Sequence, residues 1–228
     1  MSIVTIIAID GPAASGKSTL GQSLAAALGY LYFDTGIMYR AVTLAVLNSA
    51  TALDDAEACS RVARTVQIDV APPSQDDGRT NDVLLDGVDQ TWAIRTPEVE
   101  AHVSDVAAYA GVRQALTEQQ RRIGLRGRVV MVGRDIGTVV VPEAGLKLYL
   151  DASAEERARR RHLECVQLGE DIAYEDILAG VRQRDRIDSG RDVAPLRAAE
   201  DAIVLDSDGR DAQQVLAQAL ALVKERLG

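Results

Sequence analysis

A doubly wound α/β fold, built on a five-stranded parallel sheet and carrying a small antiparallel insertion, is the architecture that this 228-residue sequence predicts. Three observations predict it. Short apolar runs rich in Ile, Val and Leu, suited to strands buried on both faces, alternate with stretches of helical periodicity. The first of these runs leads directly into a glycine-rich loop and then a helix. Between residues 66 and 96 the helical pattern fails, and Pro and Gly interrupt short strand-like stretches.

The first strand is read from Ile3 to Ile9 in "IVTIIAID". Leu20, Leu24, Ala27 and Leu28 then recur at spacings of three and four, which predicts a helix. Between them, Gly11, Gly16, Lys17 and Ser18 satisfy G-x-x-x-x-G-K-[ST] without a gap. The chemistry explains the residue types. The glycines let backbone N–H groups of the loop (Gly11, Pro12, Ala13, Ala14, Ser15, Gly16; proline itself has none) turn toward phosphate oxygens, and the helix brings its positive end to the same anion. Lys17 adds a full positive charge near the β- and γ-phosphates, and the Ser18 hydroxyl is placed to ligate Mg²⁺. Thr19 supplies a second hydroxyl. Nucleotide binding by this loop outweighs the alternative of an ordinary turn opening a helix.

"YLYFDTG" (30–36) is a second strand, followed by a helix from Ile37 to Leu47 and a weaker one near 54–66. "VQIDV" (66–70), "DVLLDG" (82–87) and the stretch around Val88 read as short strands of an inserted antiparallel sheet near 68–96, broken by "PPSQDDGRTN". Thr96 caps and Pro97 opens a helical stretch, one helix or two, that runs to about 122. "RVVMVG" (128–133) and "LKLYLD" (146–151) are the third and fourth core strands. Ser153 caps a helix beginning "AEERARRRHLECVQL", and another helix covers about 173–187. "AIVLDSD" (202–208) is the fifth strand and 211–227 the closing helix.

Composition limits the function. Apolar residues make up 47% of the chain and aromatics only 4%, so the core is aliphatic. A net charge of −9 argues against a nucleic-acid partner, so any further anion site must be a local arginine cluster. Cys59 and Cys165 lie far apart without metal or redox spacing, as expected of idle thiols in the cytoplasm. No apolar run is long enough to span a membrane, so no membrane partner is expected. A monomer is expected.

In a doubly wound sheet, ligands bind beyond the carboxyl ends of the strands, so polar residues there are the candidates. Asp34-Thr35-Gly36 follows the second strand, with Tyr39 and Arg40 one turn later; Gly133-Arg134-Asp135 follows the third. Ser104 and Arg113 lie on the helical stretch near 100–113, and Arg184, Asp188 and Arg191 come late. Arg157, Arg160 and Arg161 form a basic helical stripe. Each has a structural alternative: Asp34-Thr35 as a helix cap, Arg134–Asp135 as an ion pair, the stripe as surface pairs with Glu155 and Glu156. Position favours function, because phosphoryl transfer to an acceptor that is itself a phosphate needs a second set of guanidinium groups.

The blocks "IAIDGPAASGKST", "YFDTGIMYRA", "GRDIGTVV", "LDASAEERARRR" and "RDRIDSGRDVAPL" together resemble bacterial-type cytidylate kinase from the first strand to the last helix. The resemblance implies a P-loop NTPase-type core (1–67, 97–154 and 189–228), a monophosphate-binding insertion (68–96) and a helical lid (155–188). It implies transfer of the ATP γ-phosphate to CMP or dCMP with Mg²⁺. By the same resemblance, Arg40, Arg134 and Arg191 contact the CMP phosphate, with Thr35 near the acceptor. Ser104, Arg113 and Asp135 read the cytosine, Arg184 and Asp188 approach the ribose, and Arg157 and Arg161 serve the transferring group. The family often has an acidic residue before Gly-Arg-Asp, where this chain has Val132. Asp34 is the first candidate to take its place at the metal, and Asp135 the second. No general base is expected, since a phosphate acceptor is already anionic. The rivals are P-loop kinases acting on UMP, AMP, shikimate or dephospho-coenzyme A. A guanine-nucleotide switch is disfavoured because N-K-x-D is absent.

Overall fold

The computed structural model describes residues 5–49, 51–167, 169–191 and 193–227. The elements run β1 (Ile6–Asp10), α1 (Lys17–Leu28), β2 (Leu31–Asp34), α2 (Gly36–Asn48), α3 (Ala56–Thr65), β3 (Ile68–Ala71), β4 (Asp82–Leu85) and β5 (Val88–Asp89). After a short 3₁₀ turn (Ala93–Arg95) come α4 (Pro97–Ala108), α5 (Ala110–Gly124), β6 (Val129–Val132), a π-helical turn (Ile136–Val140) and β7 (Leu146–Asp151). The chain closes with α6 (Ala154–Gln167), α7 (Tyr174–Ser189), β8 (Ile203–Asp206) and α8 (Ala212–Leu227). The expected start of the first strand at Ile3 lies outside the described residues.

The main sheet has five strands in the order β2-β6-β1-β7-β8, and β1–β7 and β7–β8 pair in parallel. The smaller sheet is antiparallel in the order β3-β4-β5, with Ile68 opposite Leu85 and Leu84 opposite Asp89. This answers a question the strand patterns left open: the stretches around 68 and 85 do pair. The long helical stretch resolves into two helices. Thr96 takes the N-cap position of α4 and Pro97 its first turn, but the Thr96 side chain makes no cap bond. By contrast, Ser153 accepts the Glu156 N–H at 3.2 Å, and Asp211 and Gln214 cap α8 reciprocally. The sequence reading placed no element at Ile136–Val140.

The chain packs into two compact units, one of Leu31–Val129 and one of Thr5–Tyr30 with the chain from Val130 onward. In the first, Phe33, Met38, Val46, Ile68, Ile94, Leu116 and Ile123 are buried. The outer edge of β3 is covered by α5, whose Gln119 accepts the Ile68 N–H at 2.8 Å and whose Arg122 donates to the Ile68 carbonyl at 2.6 Å. Arg79, before β4, is 8% exposed and bonds Asp77, Asp82 and Asp89 at 2.8–2.9 Å, stapling the small sheet. In the second unit all five residues of β1 are buried, α1 packs on α8, and α6 packs on α7. Among the described residues no helix is long and apolar enough to cross a membrane.

In the first unit, α3 and α5 meet at Gly111, where an added Cβ would lie 2.4 Å from Ser60 Oγ and 2.7 Å from Ser60 Cβ. Rotating the serine relieves only the first contact. Gly111→Ala should therefore lose stability although alanine is the better helix former by ~1 kcal/mol. Overpacking of this kind costs about 1–3 kcal/mol, so after the helix gain a net loss of up to about 2 kcal/mol is expected in urea unfolding.

Candidate functional site

The loop Gly11–Gly16 leaves the carboxyl end of β1 and opens α1. A Cβ on Gly11 (φ +150°) would sit 2.1 Å from the Leu150 carbonyl oxygen, so only glycine fits. Gly16 takes the N-cap position (φ +95°) and offers no side-chain cap, and the first turn of α1 carries no acidic residue. The helix start thus keeps its N–H donors and partial positive charge for an external anion. Pro12, Ala13, Ala14 and Ser15 complete the turn, with Ser15 buried and Ala14 at φ +59°. Lys17 is 6% exposed; its ammonium donates to the Pro12 carbonyl and meets Ser15 Oγ at 3.5 Å. Ser18 and Thr19 are exposed on the first turn.

Guanidinium groups hold the loop from behind. Arg157, 4% exposed, donates to the Ala152 carbonyl at 2.9 Å and the Ala13 carbonyl at 3.3 Å, and forks onto Asp185 of α7 at 2.8 and 2.6 Å. Arg160 meets the Ser15 carbonyl at 3.4 Å, Ser207 Oγ at 3.1 Å and the Ser207 carbonyl. The buried Ser207 hydroxyl itself donates toward the Asp151 and Ser15 carbonyls. Beside this lattice lies a cavity of about 170 Å³, with Leu20, Leu150 and Val215 as its apolar wall and Thr19, Arg160 and Arg210 as its polar rim.

A second cationic cluster forms in the same unit. The Asp188 carboxylate, 2% exposed, accepts from Arg134 Nε at 2.9 Å and from Arg191. One buried anion thus holds two cations that would otherwise repel each other. Arg134 and Asp135 directly follow β6, the neighbour of β1 in the sheet. Asp135 is 7% exposed, and its carbonyl accepts from Val139 at 2.9 Å and Val140 at 3.1 Å. Of the other candidates on this side, Arg161 is exposed and pairs with Glu164 at 3.1 Å. Arg184 is exposed and makes no ion pair with a described residue.

The unit Leu31–Val129 carries the rest. Thr35 is buried at the start of α2, and Asp34 Oδ1 accepts the Gly36 N–H at 2.9 Å, the local cap expected of it. Arg40 pairs with Glu100 of α4. Arg113 is 5% exposed with its guanidinium 5.4 Å from the centre of the Tyr39 ring, while Ser104 is exposed on α4.

Two participants, Asp10 and Ser207, were absent from the sequence-derived set, and a third, Arg160, was given no role there. Asp10 and Ser207 stand at the carboxyl ends of β1 and β8, where the rule of inspecting residues after strands would have found them. Arg160 belonged to the basic stripe, but helical phase alone did not show that it, rather than Arg161, faces the loop. Asp10 is 4% exposed; Oδ1 accepts the Ile136 N–H at 2.8 Å and Oδ2 the Gly137 N–H at 2.7 Å. Burial raises its pKa to about 6, with Asp135 adding to the rise and the two N–H bonds and Lys17 opposing it.

A family model described as Cytidylate kinase matches residues 7–225. The chain is 53% identical to Cytidylate kinase of Chloroflexus aggregans over 92% of this chain and 89% of that protein. It is 50% identical to Cytidylate kinase of Herpetosiphon aurantiacus over 95% and 93%. Among solved structures, it resembles shikimate kinase from Acinetobacter baumannii with a TM-score of 0.50, at 15% identity over 97% of this chain and 94% of that one, a likeness of fold.

The folded state holds the Asp10 proton more tightly than an unfolded chain, whose carboxyl titrates near 3.8. The contribution of Asp10 to stability is therefore full below about pH 4 and is lost as pH rises through about 6. Unfolding measured from pH 4 to 7 should show this decline in the native chain, and Asp10→Asn should flatten it.

Proposed function

The chain belongs to the cytidylate kinase family and is a P-loop nucleoside monophosphate kinase with ATP as phosphate donor, and from that premise we propose how its residues carry the γ-phosphate to CMP or dCMP. The observation that carries the reading is the pairing, within one unit, of an uncapped helix start behind a glycine loop with two arginines held by one buried carboxylate. The first arrangement suits a triphosphate, the second a separate phosphate.

On the donor side, the N–H groups of residues 13–19 and the Lys17 ammonium would bind the β- and γ-phosphates, Lys17 giving up its bond to the Pro12 carbonyl. Arg157 and Arg160 hold loop carbonyls, so we read them as fixing the shape of the loop. The cavity beside Leu150 and Val215 would take the donor base, its wall apolar and its rim able to donate hydrogen bonds. The Ser18 hydroxyl, which has no hydrogen-bond partner among the described residues, and the Asp34 carboxylate are hard oxygen donors that fit Mg²⁺. Among the described residues no group of three or more His, Cys, Asp or Glu side chains could hold a metal. Mg²⁺, when bound there, would neutralise charge on the β- and γ-phosphates.

On the acceptor side, Arg134 and Arg191 would grip the CMP phosphate, with Asp188 orienting both and approaching the ribose beside Arg184. Asp135 offers an acceptor to the cytosine amino group. From the other unit we assign Thr35 and Arg40 to the acceptor phosphate, and Ser104 and Arg113 to the cytosine edge. Residues 68–96 would be the monophosphate-binding insertion. Residues 155–188 would form a lid that excludes water, with Arg161 as its exposed cation. The attacking phosphate oxygen is already anionic near neutral pH, so His102 and His162 have no proton to remove. The free, buried thiols of Cys59 and Cys165 fit a cytoplasmic setting.

ADP release across CMP, dCMP, UMP, AMP, shikimate and dephospho-coenzyme A should be fastest with CMP and dCMP. Lys17→Ala should lower kcat by about 10²–10³-fold, the usual cost of removing one preorganised donor. Rapid turnover of another acceptor, with CMP and dCMP poor, would overturn the reading. Asp34→Ala should raise the Mg²⁺ concentration for half-maximal rate by about tenfold. An unchanged Mg²⁺ titration would remove Asp34 from the metal role.

A further inference from the structure

The segment after β6 is pinned to the end of β1 at three points. Gly133 N–H donates to the Ile9 carbonyl at 3.1 Å. Ile136 and Gly137 then donate to the two oxygens of Asp10 at 2.8 and 2.7 Å. Between the pins lie only Arg134 and Asp135. Asp10 makes no ion pair with a described residue, and burying a carboxylate without one is costly. Ile136 and Gly137 open the π-helical turn, a rare conformation that tends to occur at functional sites. The carboxylate therefore caps, from a different strand, a turn whose N-cap residue is Asp135 at φ −145°, ψ 24°.

We propose that Asp10 is a positioning residue for the acceptor: by clamping the Ile136 and Gly137 N–H groups it sets Arg134 and Asp135 at the height where they meet CMP. Gly11, the next residue, is fixed against the Leu150 carbonyl, so the end of one strand sets both the donor loop and the acceptor residues. The inference rests on the cytidylate kinase reading. The charged and titratable groups facing Asp10 are Asp135, Lys17 from α1 and Tyr149 from β7. The Lys147 side chain also lies against Gly137 and pairs with Asp201.

The test is steady-state kinetics of the full chain and of Asp10→Asn, varying CMP and ATP separately, with a thermal melt of each. An asparagine can accept only one of the two N–H bonds and turns its own amide donors toward the other. The expected result is a KM for CMP raised at least tenfold, kcat lowered at least tenfold and a KM for ATP within threefold of the native value. A purely structural role would lower the melting temperature and leave the KM for CMP alone, and that result overturns the inference. If Asp10→Asn does not fold, Gly137→Ala carries the test. Its Cβ would press on Lys147 Cδ at 3.1 Å and Cγ at 3.2 Å while only touching Asp10 Oδ2 at 3.4 Å, so either Lys147 gives way or the Gly137 N–H shifts against the carboxylate. It should raise the KM for CMP with little change for ATP, and an unchanged KM for CMP overturns the proposal. Failure of the native chain to phosphorylate CMP would overturn the family-based reading, and the inference with it.

Discussion

Gly11 has no room for a side chain: the Leu150 carbonyl of β7 occupies the place a Cβ would take. The geometry of the phosphate-binding loop depends on this closeness of strand to strand. Because β1 and β7 approach so tightly at their carboxyl ends, the chain must turn at once, and the turn ends in an uncapped helix. Loop carbonyls are then held by Arg157, Arg160 and Lys17. With several of its acceptors held by these cations, the loop leaves donors for an anion. A flexible glycine loop could do the same only after paying conformational entropy on each encounter.

Charge is organised locally against a bulk of −9. Asp188 neutralises part of the repulsion between Arg134 and Arg191, and Asp185 does the same for Arg157 beside the loop. These carboxylates, buried at Asp188 and half-buried at Asp185, let arginines gather in a small volume without leaving charges unpaired, and a weakly held guanidinium can exchange its carboxylate for a phosphate. Arg79 shows the same device used for structure alone, where three carboxylates of a small sheet share one guanidinium. Whether an acid–arginine cluster serves structure or binding thus depends on whether an anion can reach it.

What the sequence by itself determined was local or periodic. Apolar runs identified the strands of the main sheet, most plainly β1 and β6, which are buried throughout because strands covered on both faces need apolar residues along their length. The phosphate loop was legible because its glycines, lysine and serine are consecutive. Ser153 and Asp55 were legible as caps in principle, since each satisfies an N–H three residues ahead. The tertiary structure alone decided what depends on which distant groups meet. Asp10 reads in the sequence as the residue just after a strand, and its partners lie 126 and 127 residues away. The π-helical turn has no propensity signal, because its first N–H groups are satisfied by that distant carboxylate. Arg160 and Arg161 are adjacent and chemically identical, yet one grips the loop and the other faces solvent, a choice set by how α6 is rotated against β8 and Ser207. Composition and spacing state which groups are present; only the packing of strand ends states which of them share a buried space where each interaction is strong.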